Sequence, residues 1–153
     1  GIAMKSLRDR HEKIDILLVE DNTDEAYLIG ACFDEAKFKH VLHTIADGAD
    51  ALDFLYKRDA HENAPRPNLI ILDLSLPKMD GRNVLAQIKE DEDYRRIPVV
   101  ILSGSRDEKL KRECLDLHAN CYLSKPRMAG DFLKTVRQIR DFWFSYNGPE
   151  LIA

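Results

Sequence analysis

The side chains with chemistry to offer are an acidic pair, Glu20-Asp21, a further acid at Asp73, a hydroxyl at Ser103 and a lysine at Lys125. Each stands at the end of a short apolar run. Acids brought close together repel, and each raises the other's pKa unless a cation sits among them. Oxygen donors with room left for water suit Mg²⁺ better than Zn²⁺ or a full calcium cage, and neither Cys nor His occupies these positions. A divalent ion would also neutralise an incoming phosphoryl group. Asp73 could then attack phosphorus as a carboxylate nucleophile and form an aspartyl phosphate. Lys125 and the Ser103 hydroxyl would supply a positive charge and a hydrogen bond to the new phosphoryl oxygens. Taken singly, each residue has a plainer role. A lone Asp after a strand is more often a turn or helix-capping residue, Ser103-Gly104-Ser105 is an ordinary loop, and Lys125 before Pro126 is a solvated lysine. Their coincidence at four run ends is what gives the chemistry weight.

The elements that must position them follow from periodicity. Short apolar runs at Ile14–Val19, His40–Ala46, Asn68–Leu72, Ile97–Leu102 and Asn120–Ser124 predict strands. Helix patterns lie near Asp24–Ala36, Ala49–Lys57, Gly81–Lys89, Asp107–Leu117 and Gly130–Tyr146. Val84, Leu85 and Ile88 share one helical face, as do Phe132, Val136, Ile139 and Trp143. Strand alternating with helix predicts an α/β fold, a doubly wound five-stranded parallel sheet covered on both sides. Ile16–Val19, Leu69–Leu72 and Val99–Leu102 are continuously apolar and suit central strands. His40–Thr44 and Cys121–Ser124 are more polar and suit the edges. Such edges match the order 2-1-3-4-5, in which a ligand site forms beyond the carboxyl ends of strands one and three.

With these motifs in place, the chain resembles the receiver domain of two-component response regulators, with its CheY-like, flavodoxin-like (βα)₅ fold, from about Ile14 to Trp143. Leu18-Val19-Glu20-Asp21-Asn22 resembles the family's acidic pair, and Ile71–Gly81 its phosphoacceptor segment. Ile97–Ser103 resembles the switch strand, and Tyr122-Leu123-Ser124-Lys125-Pro126 the final one. The resemblance implies that Asp73 is the phosphoacceptor and that Asp21, Asp73 and the Ser75 backbone carbonyl hold Mg²⁺, with Glu20 acting through water. It implies that Ser103 and Lys125 bind the phosphoryl group, that Tyr122 is the switch aromatic, and that Ser75 and Ser105 tune phosphoryl lifetime. It also implies a cis Lys125-Pro126 bond. A narrower resemblance, in Asn63–Leu69, Leu76–Arg82, His118–Leu123 and Phe142-Trp143, is to stand-alone phytochrome-associated response regulators. These take phosphate from a red-light-sensing histidine kinase and favour homodimers. On that reading Phe142, Trp143 and Phe144 are the dimer candidates, since the last helix carries more apolar surface than one core face needs.

Bulk composition fits this reading. A chain of 153 residues, 44% hydrophobic and 33% charged, suits one soluble domain. We expect a tail over residues 1–13 (Gly1-Ile2-Ala3 ahead of Met4 being a cloning remnant), a receiver domain over 14–146, and a short tail over 147–153 with no output domain. A net charge of −4 argues against nucleic-acid or anionic-membrane partners. No run is long and apolar enough to span a bilayer, and three scattered cysteines suit a reducing cytoplasm. Other readings fare worse. An aspartate-based phosphatase would want a carboxylate where Ser75 stands. A flavodoxin-type electron carrier would want a glycine- and hydroxyl-rich loop where Glu20–Asp24 would repel phosphate. A pseudo-receiver that never takes phosphate has no evident reason to keep Asp21, Asp73, Ser103 and Lys125.

Overall fold

Continuous apolar runs make the inner strands. In the computed structural model, which describes residues 13–37 and 39–151 with side chains to Tyr146, the elements run in strict alternation. They are β1 (Ile14–Val19), α1 (Thr23–Glu35), β2 (His40–Ile45), α2 (Gly48–Tyr56), β3 (Leu69–Leu72), α3 (Gly81–Glu90), β4 (Val99–Ser103), α4 (Glu108–Asp116), β5 (Cys121–Ser124) and α5 (Phe132–Leu151). The five strands form one sheet in the order β2-β1-β3-β4-β5, every pairing parallel. Every residue of β3 and β4 is buried, whereas β2 and β5 are only partly covered. The polarity of the runs therefore marks β2 and β5 as the edges, because an edge strand keeps one side in water, and the structure settles the order of the three inner strands.

Alternate side chains of each inner strand enter two separate cores. Leu17, Val19, Ile70 and Leu72 pack with Leu52, Leu55, Val84, Leu85 and Ile88 on the α2–α3 side. Ile16, Leu18, Leu69 and Ile71 pack with Ile29, Phe33, Val136, Ile139 and Trp143 under α1 and α5. Four helices open on a side-chain cap. Asn22, Asp47, Asp80 and Asp107 each accept a backbone N–H from the first turn, so strand-to-helix turns are sharply set.

Two expectations are corrected. The last helix does not stop at Tyr146. It continues to Leu151 through Gly148 and Pro149, because a proline removes one i→i−4 hydrogen bond without forbidding the turn. The Lys125-Pro126 bond is trans, as are all peptide bonds among the described residues. Residues 1–12 of the expected N-terminal tail lie outside the described residues.

At the opposite end of the sheet from the carboxyl rim, Lys89 ties the fold together. Its Nζ donates to the carbonyls of Arg95 and Ile97 and to Asn120 Oδ1, each at 2.9 Å. The same Asn120 oxygen accepts the Val99 N–H at 2.9 Å. Burial pushes Lys89 down to about 8, while the three oxygens around it favour the ammonium form. Lys89→Met leaves two carbonyls without their donor and is expected to cost about 1–3 kcal/mol by urea denaturation. No loss would show that water replaces the ammonium freely.

Candidate functional site

Each functional side chain stands at or one residue past the end of a buried strand, held by a backbone bond that extends the sheet. The Glu20 N–H donates to the Ile45 carbonyl at 2.9 Å, and Asp73 N–H to Val19 at 3.0 Å. Lys125 N–H donates to the Ser103 carbonyl at 2.6 Å. The rim is therefore as rigid as the sheet. Helix α3 closes against it from one side. Gly81 N–H donates to the Leu74 carbonyl at 3.1 Å. A Cβ on Gly81 would collide with the Asp73 carbonyl and lie 2.6 Å from Leu74 Cα, so only glycine permits this approach.

The expected residues meet. Glu20, Asp21 and Asp73 each offer a carboxylate oxygen within 4.8 Å of the others, with Glu20 and Asp73 buried and Asp21 exposed. Such a donor set is all hard oxygen with one open side, which fits a hydrated divalent cation such as Mg²⁺. If one binds, Glu20, Asp21 and Asp73 would hold it, and its charge would offset theirs and that of an incoming phosphoryl group. Ser75 is exposed at the mouth and its N–H donates to Asp73 Oδ1 at 3.2 Å.

Opposite the acids, Lys125 Nζ reaches Glu20 Oε1 at 2.7 Å and Asp73 Oδ2 at 3.0 Å. A third partner, Glu25 Oε2 at 2.5 Å, was not singled out from the sequence. Its signal was there: Asn22 caps α1, and the capped first turn places Glu25 over the rim. Burial lowers the Lys125 pKa, but hydrogen bonds to Glu20, Glu25 and Asp73 outweigh it and hold the ammonium form above its usual range. Burial pushes Glu20 up to about 7, and the Asp73 charge adds to this while the Lys125 hydrogen bond opposes it.

The switch strand is laced to β5. Ser103, buried, accepts the Ser105 N–H on Oγ at 3.1 Å. Tyr122 is buried and its hydroxyl donates to the Ser105 carbonyl at 3.0 Å, joined there by Ser124 Oγ at 3.3 Å. Arg106 Nη2 donates to the Lys125 carbonyl at 2.9 Å. Neither Ser124 nor Arg106 is marked by the sequence, since a hydroxyl at a strand end and a guanidinium in a loop carry no periodic signal. Of the dimer candidates, Trp143 is only 2% exposed, with Nε1 donating to the Asn68 carbonyl at 3.4 Å. It is a core residue and cannot form an outer face, because the α5 stripe packs it against β1 and β3. Phe142 and Phe144 are half-buried.

A parallel sheet in this order with an acid cluster, a hydroxyl and a lysine at its carboxyl rim defines a receiver of phosphoryl-transfer signalling. The chain belongs to the response regulator receiver domain family, whose model matches residues 16–137. It is 46% identical to the response regulator Rcp1 of Synechocystis sp. over 128 residues, which is 84% of this chain and 87% of that protein. It is 38% identical to the probable methanogenesis regulatory protein FilR2 of Methanothrix harundinacea, across 96% of this chain and 94% of that protein. Among solved structures it resembles the phosphorylated cyanobacterial phytochrome response regulator RcpA at a TM-score of 0.83 and 41% identity. That match covers 88% of this chain and 96% of the other. The Mn²⁺-bound form of Rcp1 matches at 0.81 and 45%, covering 85% and 94%. Among the described residues, no helix is long and apolar enough to cross a membrane.

In the absence of metal, the folded chain holds a proton on Glu20 that the unfolded chain releases between pH 4.5 and about 7. This group's contribution to stability is thus full below about pH 4.5 and is lost as pH rises through about 7. Glu20→Gln is expected to raise stability in EDTA at pH 8 by about 1–3 kcal/mol, with no gain near pH 4.5. Urea denaturation at the two pH values checks this, and a less stable variant at pH 8 would contradict it.

Proposed function

We propose that this receiver accepts a phosphoryl group on Asp73 from a histidine kinase, most specifically a bacterial phytochrome, in a Mg²⁺-dependent reaction. The observation that carries the reading is Lys125 Nζ at 3.0 Å from Asp73 Oδ2 on a rim where Glu20, Asp21 and Asp73 converge. An Asp73 carboxylate oxygen bonds to phosphorus as the P–N bond of the donor phosphohistidine breaks, and the imidazole leaves with the bonding electrons. Bound Mg²⁺ would neutralise charge on the transferring group. Asp73 is held as the attacking carboxylate, and Lys125 pairs with the phosphoryl oxygens. Ser103 turns its hydroxyl from the Ser105 N–H to the phosphoryl group. That motion reaches Tyr122 through the Ser105 carbonyl. Ser75, beside Asp73, and Ser105, at the hub of that network, are the positions that set phosphoryl lifetime. Function as a binding switch, with chemistry limited to its own phosphorylation and dephosphorylation, is supported by membership of the receiver family. The phytochrome donor is supported by the likeness to Rcp1 and RcpA. A cytoplasmic location is supported by three free thiols, Cys32, Cys114 and Cys121.

Incubation with acetyl phosphate and Mg²⁺ is expected to add roughly 80 Da by intact-mass spectrometry, to need Mg²⁺, and to fail for Asp73→Asn. A gain that survives in the variant would remove Asp73 from the role. A homodimer through α5 is also proposed, built on Phe142 and Phe144 and excluding the core Trp143. Phe142 stacks 6.1 Å from Tyr146, which is 42% exposed, so an aromatic strip lies along that helix. Phe142→Glu with Phe144→Glu is expected to sediment as a monomer while keeping a folded circular-dichroism spectrum. A folded variant that remains dimeric would place the interface elsewhere.

A further inference from the structure

The three donors of the Lys125 ammonium are all engaged, by Glu20, Glu25 and Asp73. A phosphoryl group on Asp73 therefore inherits only the one N–H that its own carboxylate held. For the lysine to give it a second, another carboxylate has to yield. Glu20 is 3% exposed and also accepts the Asn22 N–H on Oε2 at 3.1 Å, so it is fixed at both oxygens. Asp73 is the phosphorylated residue itself, and the lysine N–H it held passes to the phosphoryl oxygens. Glu25 remains: its side chain is 33% exposed, at the start of α1 with solvent beside it.

We propose that Glu25 is a latch on Lys125, a positioning residue that occupies the lysine in the resting state and is displaced when the phosphoryl oxygens arrive. This rests on Asp73 being the phosphoacceptor, as proposed above, and adds a residue that competes with the phosphoryl group for the same cation. Because the pair joins the first turn of α1 to the end of β5, its opening also frees α1 from the opposite rim of the site. Phosphorylation is thereby felt at a helix that contains no phosphoryl ligand. The latch acts against the charge that Asp73 gains, so its strength sets how firmly the phosphoryl group is held.

Asp24, the neighbouring exposed acid, makes the comparison clean, since Asp24→Asn removes the same charge nearby without touching Lys125. The probe is the phosphoryl analogue fluoroberyllate with Mg²⁺, titrated calorimetrically, with Mg²⁺ alone titrated in parallel. Glu25→Gln and Glu25→Ala are both expected to bind fluoroberyllate about three- to fivefold more tightly than wild type, a size suited to a partly exposed ion pair. Asp24→Asn is expected to stay within about twofold, and Mg²⁺ affinity to shift equally in the Glu25 and Asp24 variants, since bulk charge is common to both. Folded Glu25 variants that bind fluoroberyllate no better than Asp24→Asn would overturn the latch alone. A wild-type chain that binds Mg²⁺ but no fluoroberyllate would overturn the phosphoacceptor reading and the latch with it.

Discussion

One ammonium group surrounded by carboxylates governs this molecule. Lys125 meets Glu20, Glu25 and Asp73 within 3.0 Å, on a rim that also carries Asp21. Acids held that close are unfavourable without a cation, and one lysine offsets only part of their charge. The deficit leaves a rim of hard oxygen donors of the kind a hydrated divalent ion takes. The residual strain appears at Glu20, whose carboxyl rises to about 7 because burial and the Asp73 charge outweigh the lysine's hydrogen bond.

The sheet is what makes such a site affordable. Glu20 and Asp73 lie one residue beyond buried apolar strands and Lys125 one beyond the edge strand β5, and their own N–H groups continue the ladder into Ile45, Val19 and Ser103. Buried hydrogen-bonded backbone does not relax to separate like charges. Gly81 adds to this constraint from above, its lack of a side chain letting α3 press on the Asp73–Leu74 backbone. Lys89 and Asn120 hold the far ends of β4 and β5 in the same rigid frame.

From that frame two hydrogen-bonded chains lead away from the site. Through Ser103 and Ser105 it reaches Tyr122, Ser124 and the start of α4. Arg106, bonded to the Lys125 carbonyl, reinforces this route. Through Glu25 it reaches α1. The second chain ends on a partly exposed ion pair, whereas the first ends on Tyr122, a side chain buried in the core on the α2–α3 side of the sheet.

The sequence by itself determined the fold class, which strands lie at the edges and which residue types stand at the rim. Burial on both faces demands continuous apolar runs, and an edge strand does not, so Leu69–Leu72 and His40–Ile45 declare their places by composition. Glu20-Asp21, Asp73 and Ser103 were legible for a related reason, since they follow on such runs, and Lys125 because it follows the last strand. Only the tertiary structure decided which side chains meet across the rim and which apolar residues face inward. Glu25 lies 100 residues from Lys125, and no local pattern encodes that contact. Trp143 shares its aromatic character with Phe142 and Phe144, yet helix phase buries it under α1 and the sheet while its neighbours stay half-exposed. Periodicity reports the face of a helix relative to itself. Which neighbour covers that face, and how far the helix runs beyond it, is settled by packing.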